Sequence, residues 1–186
     1  MLRITSGTAK GKKLISPEIP EFRAVQEVAK LAVFSILGNK VVGAVCLDLF
    51  AGSGNLGIEA LSRGAAYCDF VDTDRVAEEA IFENLKQTGF LDKAEIRGQD
   101  AVKFTKDAMA EDRNYDIVFV DPFYKETHFK FLFENLEKIL NPHGVVIFCH
   151  GSETDVKEIL ANTSRLRVHD EKRYGGAMVT VLQKKS

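Results

Sequence analysis

Two short stretches carry residue types that could do chemistry together. The first is Asp48-Leu-Phe-Ala-Gly-Ser-Gly54. Gly52 and Gly54 permit a tight turn and close approach of backbone to a ligand. The helical pattern that follows opens with unpaired N–H groups and a positive dipole end, which suit a carboxylate or phosphate. An acid directly before the turn repels a diphosphate and attracts an amine. Asp48 and the turn from Ala51 through Gly52 to Gly54 therefore fit a zwitterionic amino-acid group, with the ammonium at the acid and the carboxylate at the amides. Asp72, at the end of the next strand, is placed to accept hydrogen bonds from ribose hydroxyls. Asp100, followed by Ala101, is placed after the third strand to accept from an adenine amino group. Together these positions describe S-adenosylmethionine. Asp72, Asp74 and Asp100 each also precede a helical pattern, where an aspartate caps free N–H groups, and the two roles are compatible.

The second stretch is Asp121-Pro-Phe-Tyr124. An exocyclic amine on a nucleobase is a weak nucleophile because its lone pair is delocalised into the ring. Acceptors on both of its N–H groups draw the nitrogen toward a tetrahedral, reactive state. The Asp121 carboxylate and the Pro122 carbonyl can supply them, with Tyr124 and Phe123 stacking on an extruded base. The bland alternative is an Asp-Pro turn that ends a strand, with core aromatics. Gly52-x-Gly54-x-x-Gly57, with Asp72 following, also matches the dinucleotide fingerprint. A nicotinamide-dependent oxidoreductase thus stays open. Against it stand Asp48 and the small amount of chain left for a second substrate domain.

These stretches need elements to hold them. Strand patterns at 44–50, 67–72, 94–97, 115–120 and 144–149 alternate with helical patterns at 54–63, 74–88, 101–110, 127–140 and 153–161. Regular alternation of this kind implies a mostly parallel sheet covered on both faces. Segments 165–173 and 177–184, around Tyr174-Gly-Gly176, read as an antiparallel hairpin. Upstream, 2–6 and 12–16 flank Gly7-Thr-Ala-Lys-Gly11 and read as another hairpin. Apolar residues at 25, 28, 29, 32 and 36 recur at helical spacing, with Gly38 and Asn39 as the stop. The expected organisation is an extension, 1–40, on a Rossmann-like domain, 41–186, as one structural unit.

Composition is ordinary for a globular protein, and the formal net charge of -2 predicts no nucleic-acid partner by itself. The distribution is uneven: residues 1–40 carry +4, from Lys and Arg at 3, 10, 12, 13, 23, 30 and 40 against three glutamates. Lys10, Lys12, Lys13 and Arg23 are the candidate contacts to RNA phosphates, with solvated edge lysines as the alternative. Cys46, Cys68 and Cys149 lie in apolar runs without metal-ligand spacing and read as buried free thiols. His150 ends the fifth strand on the ligand side; His128, His143 and His169 read as surface or turn residues. No metal site is expected. No apolar run approaches the roughly 18 residues of a membrane span, and the N-terminal residues lack a signal core, so a cytoplasmic protein is expected.

The sequence resembles the RsmD-type methyltransferases, which methylate the guanine N2 of bacterial small-subunit ribosomal RNA. The resemblance runs from Leu2-Arg-Ile-Thr-Ser-Gly and Lys10-Gly-Lys-Lys-Leu14, through Phe34-Ser-Ile-Leu-Gly38 and the stretch from Leu47 to Ala65, to Arg173-Tyr-Gly175. It implies a class I methyltransferase fold: a mostly parallel, Rossmann-like sheet of seven strands with an antiparallel C-terminal strand. It also implies S-adenosylmethionine as cofactor and an N-terminal hairpin that helps to grip RNA, free or in the assembled small subunit. Where the family usually has Asp-Pro-Pro-Tyr, this chain has Asp121-Pro-Phe-Tyr124. Arg-Pro-Thr is replaced by Arg23-Ala-Val25, and Arg-Glu-Ala by Lys30-Leu-Ala32, both expected near the RNA and active-site side.

Overall fold

The computed structural model describes residues 1–20, 27–122 and 128–184. The alternating pattern becomes β1 (Val45–Leu49), α2 (Asn55–Ser62), β2 (Tyr67–Asp72), α3 (Arg75–Thr88), β3 (Ala94–Gly98), α4 (Ala101–Ala110), β4 (Tyr115–Val120), α5 (Phe129–Ile139), β5 (Leu140–Gly151), α6 (Val156–Ile159), β6 (Leu166–Tyr174) and β7 (Ala177–Lys184), preceded by α1 (Glu27–Leu37). The strands form one sheet in the order β3-β2-β1-β4-β5-β7-β6. β7 alone runs against its neighbours. β1 lies between β2 and β4, so the chain reverses its direction of strand addition there. Ligands of open α/β sheets bind at the carboxyl ends beside such a reversal.

The central strands are apolar on both sides, as a sheet covered on both faces requires. One face buries Cys46, Phe70, Ile117, Phe119 and Ile147 with α1, α2 and α3; the other buries Leu47, Val71, Val118 and Phe148 with α4 and α5. The cysteines are free and buried, as expected. Gly57 explains how closely α2 can lie on β2: a Cβ there would sit 2.4 Å from the Phe70 ring and 2.8 Å from the Cys68 sulfur.

The N-terminal hairpin pairs Arg3 with Lys13 and is closed across its arms by Ile4 N–H to Lys12 O at 2.9 Å, Gly11 N–H to Ile4 O at 2.8 Å and Leu14 N–H to Leu2 O at 2.9 Å. It is also tied to helices: Thr8 N–H and Ala9 N–H donate to Ser62, and Ile15 N–H donates to Asn84. Two features depart from the sequence reading. In α1 the buried residues are Ala29, Lys30, Val33, Phe34 and Leu37, while Val28 is 64% exposed. The helix has turned to bring Lys30 inside, where its ammonium donates to the Arg3 carbonyl at 2.6 Å and the Asn55 carbonyl at 2.9 Å and meets Glu59 at 3.2 Å. Lys30 is thus a buried cation that reaches Asn55 at the start of α2. Finally, β5 begins at Leu140, ahead of the expected 144: Tyr115 pairs with Leu140 and Ile117 with Val145, so the Asn141-Pro142-His143-Gly144 turn bulges within the ladder. His143 there takes φ of 65°.

Candidate active site

The carboxyl ends of β1, β2 and β4 bring Asp48, Asp72 and Asp121 into one electrostatic group. Asp48 is buried, and its Oδ2 accepts the Gly57 N–H at 2.8 Å. Burial pushes its carboxyl well up, and the neighbouring Asp121 and Asp72 charges push it further. Asp121 follows β4 and keeps part of its surface in contact with solvent. It is packed deeply enough that burial pushes its carboxyl up to about 7. Among the described residues it has no hydrogen-bond partner. Three carboxyls converging with no ion-paired cation among the described residues form a place that favours positive charge. Pro122, half-buried, follows directly. Phe123 and Tyr124 lie outside the described residues, as does Arg23.

Asp72 does something the sequence did not suggest. Its Oδ2 accepts from Gly52 N–H at 2.9 Å and its Oδ1 from Asp74 N–H at 3.0 Å. It bolts the glycine turn to the end of β2. Capping of α3 falls to Asp74, whose carboxylate accepts from Val76 N–H. Asp100 caps α4 through Lys103 N–H at 2.9 Å and is exposed, and Ala101 is buried behind it.

The turn itself is wound by positive φ at Phe50 (57°), Gly52 (57°) and Gly54 (75°). A left-handed backbone is costly for a phenylalanine. Three amides of the turn are already engaged: Ala51 N–H with Val71 O, Gly52 N–H with Asp72, and Gly54 N–H with Ala51 O. The amides of Ser53, Asn55 and Leu56 have no acceptor among the described residues. The open donors are therefore Ser53 N–H within the turn and the Asn55 and Leu56 N–H groups that open α2. A nest of unpaired N–H groups at a helix start takes an anion. An anion site beside a carboxylate cluster suits a zwitterion and repels a diphosphate.

The basic residues of the extension are placed by the hairpin. Lys10 and Lys13 are exposed. Lys12 donates to Gln87 O at 2.7 Å, closing the carbonyl end of α3. The hairpin's tip lies at Ser62, the last residue of α2, about 10 Å of helix from Asn55. His150 is held by Gly151 O at 2.8 Å and Thr180 Oγ1 at 2.7 Å. Among the described residues no group of His, Cys, Asp and Glu could hold a metal ion, and no helix is long and apolar enough to cross a membrane.

Comparison with known proteins adds to this geometry. The pattern of the family described as "Conserved hypothetical protein 95" matches residues 2–183. The Bacillus subtilis protein named "Putative rRNA methyltransferase YlbH" is 32% identical over 99% of this chain and 100% of its own length. "Ribosomal RNA small subunit methyltransferase D" of Escherichia coli is 30% identical over 100% of this chain and 91% of its own length. The solved structure titled "Putative methyltransferase yhhF from Escherichia coli" superposes with a TM-score of 0.82 at 26% identity, covering 99% of this chain and 98% of that one.

Proposed function

This chain belongs to the RsmD-type methyltransferase family, and from that premise we propose that it transfers a methyl group from S-adenosylmethionine to the exocyclic N2 amine of a guanine in small-subunit ribosomal RNA. The observation that carries the chemistry is the pairing, at the sheet reversal, of Asp121, whose carboxyl has no hydrogen-bond partner among the described residues, with a turn that suits an anion. The residues present fit the cofactor. The amides of Ser53, Asn55 and Leu56, without an acceptor among the described residues, suit its carboxylate, and the Asp48 side suits its ammonium. Asp72 and Asp100 lie at the ends that would meet ribose and adenine. When bound, the sulfonium supplies an electrophilic methyl.

The chain's own part is to prepare the amine. Asp121 Oδ accepts one N2–H and the Pro122 carbonyl the other, with Tyr124 and Phe123 stacking on the base. Asp121 then takes the proton that the nitrogen must lose, a task suited to a carboxyl poised near neutrality. This gives a pH prediction. Asp121 acts as acceptor only when ionised, so kcat/KM should rise through about pH 7 and level off above it. A profile flat between about pH 6 and 8.5 would detach the reaction from this carboxyl.

The target class is tested by mass spectrometry of ribosomal RNA nucleosides from cells with and without the gene. Loss of one N2-methylguanosine per small subunit is expected; unchanged nucleosides with intact RNA binding would leave a cofactor-retaining RNA-binding protein. The RNA is met through the exposed lysines of the hairpin. A Lys10→Glu, Lys13→Glu variant should bind a ribosomal RNA fragment or the assembled small subunit more weakly, with the salt slope flattened by roughly 0.7 per lost contact on a log–log plot. Lys12 is left intact because it closes α3. Unaltered affinity at every salt concentration would reduce these lysines to a solvated edge.

A further inference from the structure

One polar group near the anion turn is left without a use. Asn55 opens α2, is 5% exposed, and its Nδ2 has no hydrogen-bond partner among the described residues. The amide's orientation is settled by its neighbour. Lys30 Nζ, which can only donate, gives a hydrogen bond to Asn55 Oδ1 at 2.9 Å, so the amide's N–H₂ end must point away from Lys30. Lys30 is itself anchored by Glu59 and the Arg3 carbonyl. Natural structures rarely leave a buried donor unpaired, and the exceptions cluster where a water, an ion or a functional role completes it. Here the orphan donor is carried by the residue whose own backbone amide, like those of Ser53 and Leu56, has no acceptor among the described residues. Both kinds of donor call for an acceptor, and a carboxylate offers two oxygens.

We propose that Asn55 Nδ2 is a binding contact for the carboxylate at the amino-acid end of the cofactor, held in register by Lys30. The proposal rests on the cofactor reading above and adds a side chain to a site otherwise made of backbone. It also gives the buried Lys30–Glu59 pair a positioning role. Asn55→Asp keeps the oxygen that Lys30 needs and exchanges only the donor for an acceptor. Asn55→Ala removes both.

Calorimetry with two probes tests it. S-adenosylhomocysteine carries the amino-acid end; 5′-methylthioadenosine carries the adenosine and thioether without it. Affinity for S-adenosylhomocysteine should fall about 10- to 100-fold in Asn55→Ala, the loss expected for a hydrogen bond to a charged group. It should fall further in Asn55→Asp, where two carboxylates would face each other. Methylthioadenosine should bind both variants and wild type alike. Unchanged S-adenosylhomocysteine affinity in both variants would overturn the proposal. So would an equal loss for both probes, which would mark Asn55 as a structural residue of the turn. Wild-type protein that binds NAD and not S-adenosylhomocysteine would instead overturn the cofactor reading itself, a result distinct from either.

Discussion

Asp121→Ala should lower the turnover number for methyl transfer by about 10²-fold or more while leaving S-adenosylhomocysteine affinity largely intact. The magnitude follows from removing a hydrogen-bond partner that acts on the reacting nitrogen in the transition state. The selectivity follows from position. Asp121 stands after β4, on the side of β1 away from β2, and among the described residues makes no hydrogen bond to the turn amides or to Asp72. Its influence on the cofactor side is through charge, since it raises the Asp48 carboxyl. Removing it should therefore weaken cofactor binding little. Single-turnover rates with a ribosomal RNA substrate, beside calorimetry, separate the two effects. A variant that methylates at close to the wild-type rate would make Asp121 a turn residue only. Asp121→Asn adds a stability readout. The native carboxyl lies near 7 against 3.8 in the unfolded chain, so ionisation costs the folded state increasingly as pH rises from about 4 through 7. The asparagine variant should be more stable than wild type at pH 8 and no more stable at pH 4.

The largest loss of stability is expected at Glu59, a residue remote from the reacting atoms. Its side chain is fully buried. It accepts from Thr5 N–H at 3.0 Å, Thr5 Oγ1 at 2.7 Å, Ser6 N–H at 3.1 Å and Arg63 Nε at 2.9 Å, and lies 3.2 Å from Lys30. Burial pushes the carboxyl up, but the Thr5 hydrogen bonds and the Lys30 and Arg63 charges outweigh it and hold the group below its usual range. Lys30, by contrast, is pushed down by burial despite Glu59. The pair thus owes its existence to Glu59's several donors more than to mutual attraction, and removing the acid strands a buried ammonium. Glu59→Ala should cost about 3–5 kcal/mol. In a domain of this size each kcal/mol lowers Tm by about 2–4 °C. A Lys30→Met, Glu59→Leu double variant should recover part of the loss, because paired apolar replacement leaves no uncompensated charge. Since the native carboxyl is depressed, its contribution is complete above about pH 4.5 and fades as pH falls through the lower native value. The Tm difference between wild type and Glu59→Gln should narrow in the same range. A Glu59→Ala protein within about 1 kcal/mol of wild type would show the network to be ornamental.

Some of the molecule was plain in the residue order. Alternating apolar strands and helical patterns with glycine stops specify local period and direction, and these dictate a parallel sheet once each helix must bury its stripe. The glycine turn was legible for the same reason: left-handed φ and close helix approach are demands that glycine alone meets cheaply. The inward face of α1 was not legible. Its periodicity pointed to residues such as Val28, which proved exposed, because a lysine is counted polar until a partner 29 residues away, Glu59, makes it a core residue. The hairpin was legible, with Ile4, Gly11 and Leu14 N–H bonding across its arms, but its docking on α2 and α3 through Ala9 and Ile15 N–H was not.

The sequence by itself determined the sheet, the turn, and the identity of the acids at the strand ends, because each follows from local pattern and from the carboxyl-end rule. Only the tertiary structure decided what those acids do. Asp72 and Asp100 looked alike as strand-end aspartates, yet one bolts the turn and the other caps a helix. Which amides remain open for a ligand was decided by competition for hydrogen bonds: Val71, Asp72 and Ala51 claim those of Ala51, Gly52 and Gly54, leaving, among the described residues, those of Ser53, Asn55 and Leu56. Such competition is settled by distances across the fold, between groups tens of residues apart, and no spacing along the chain encodes it.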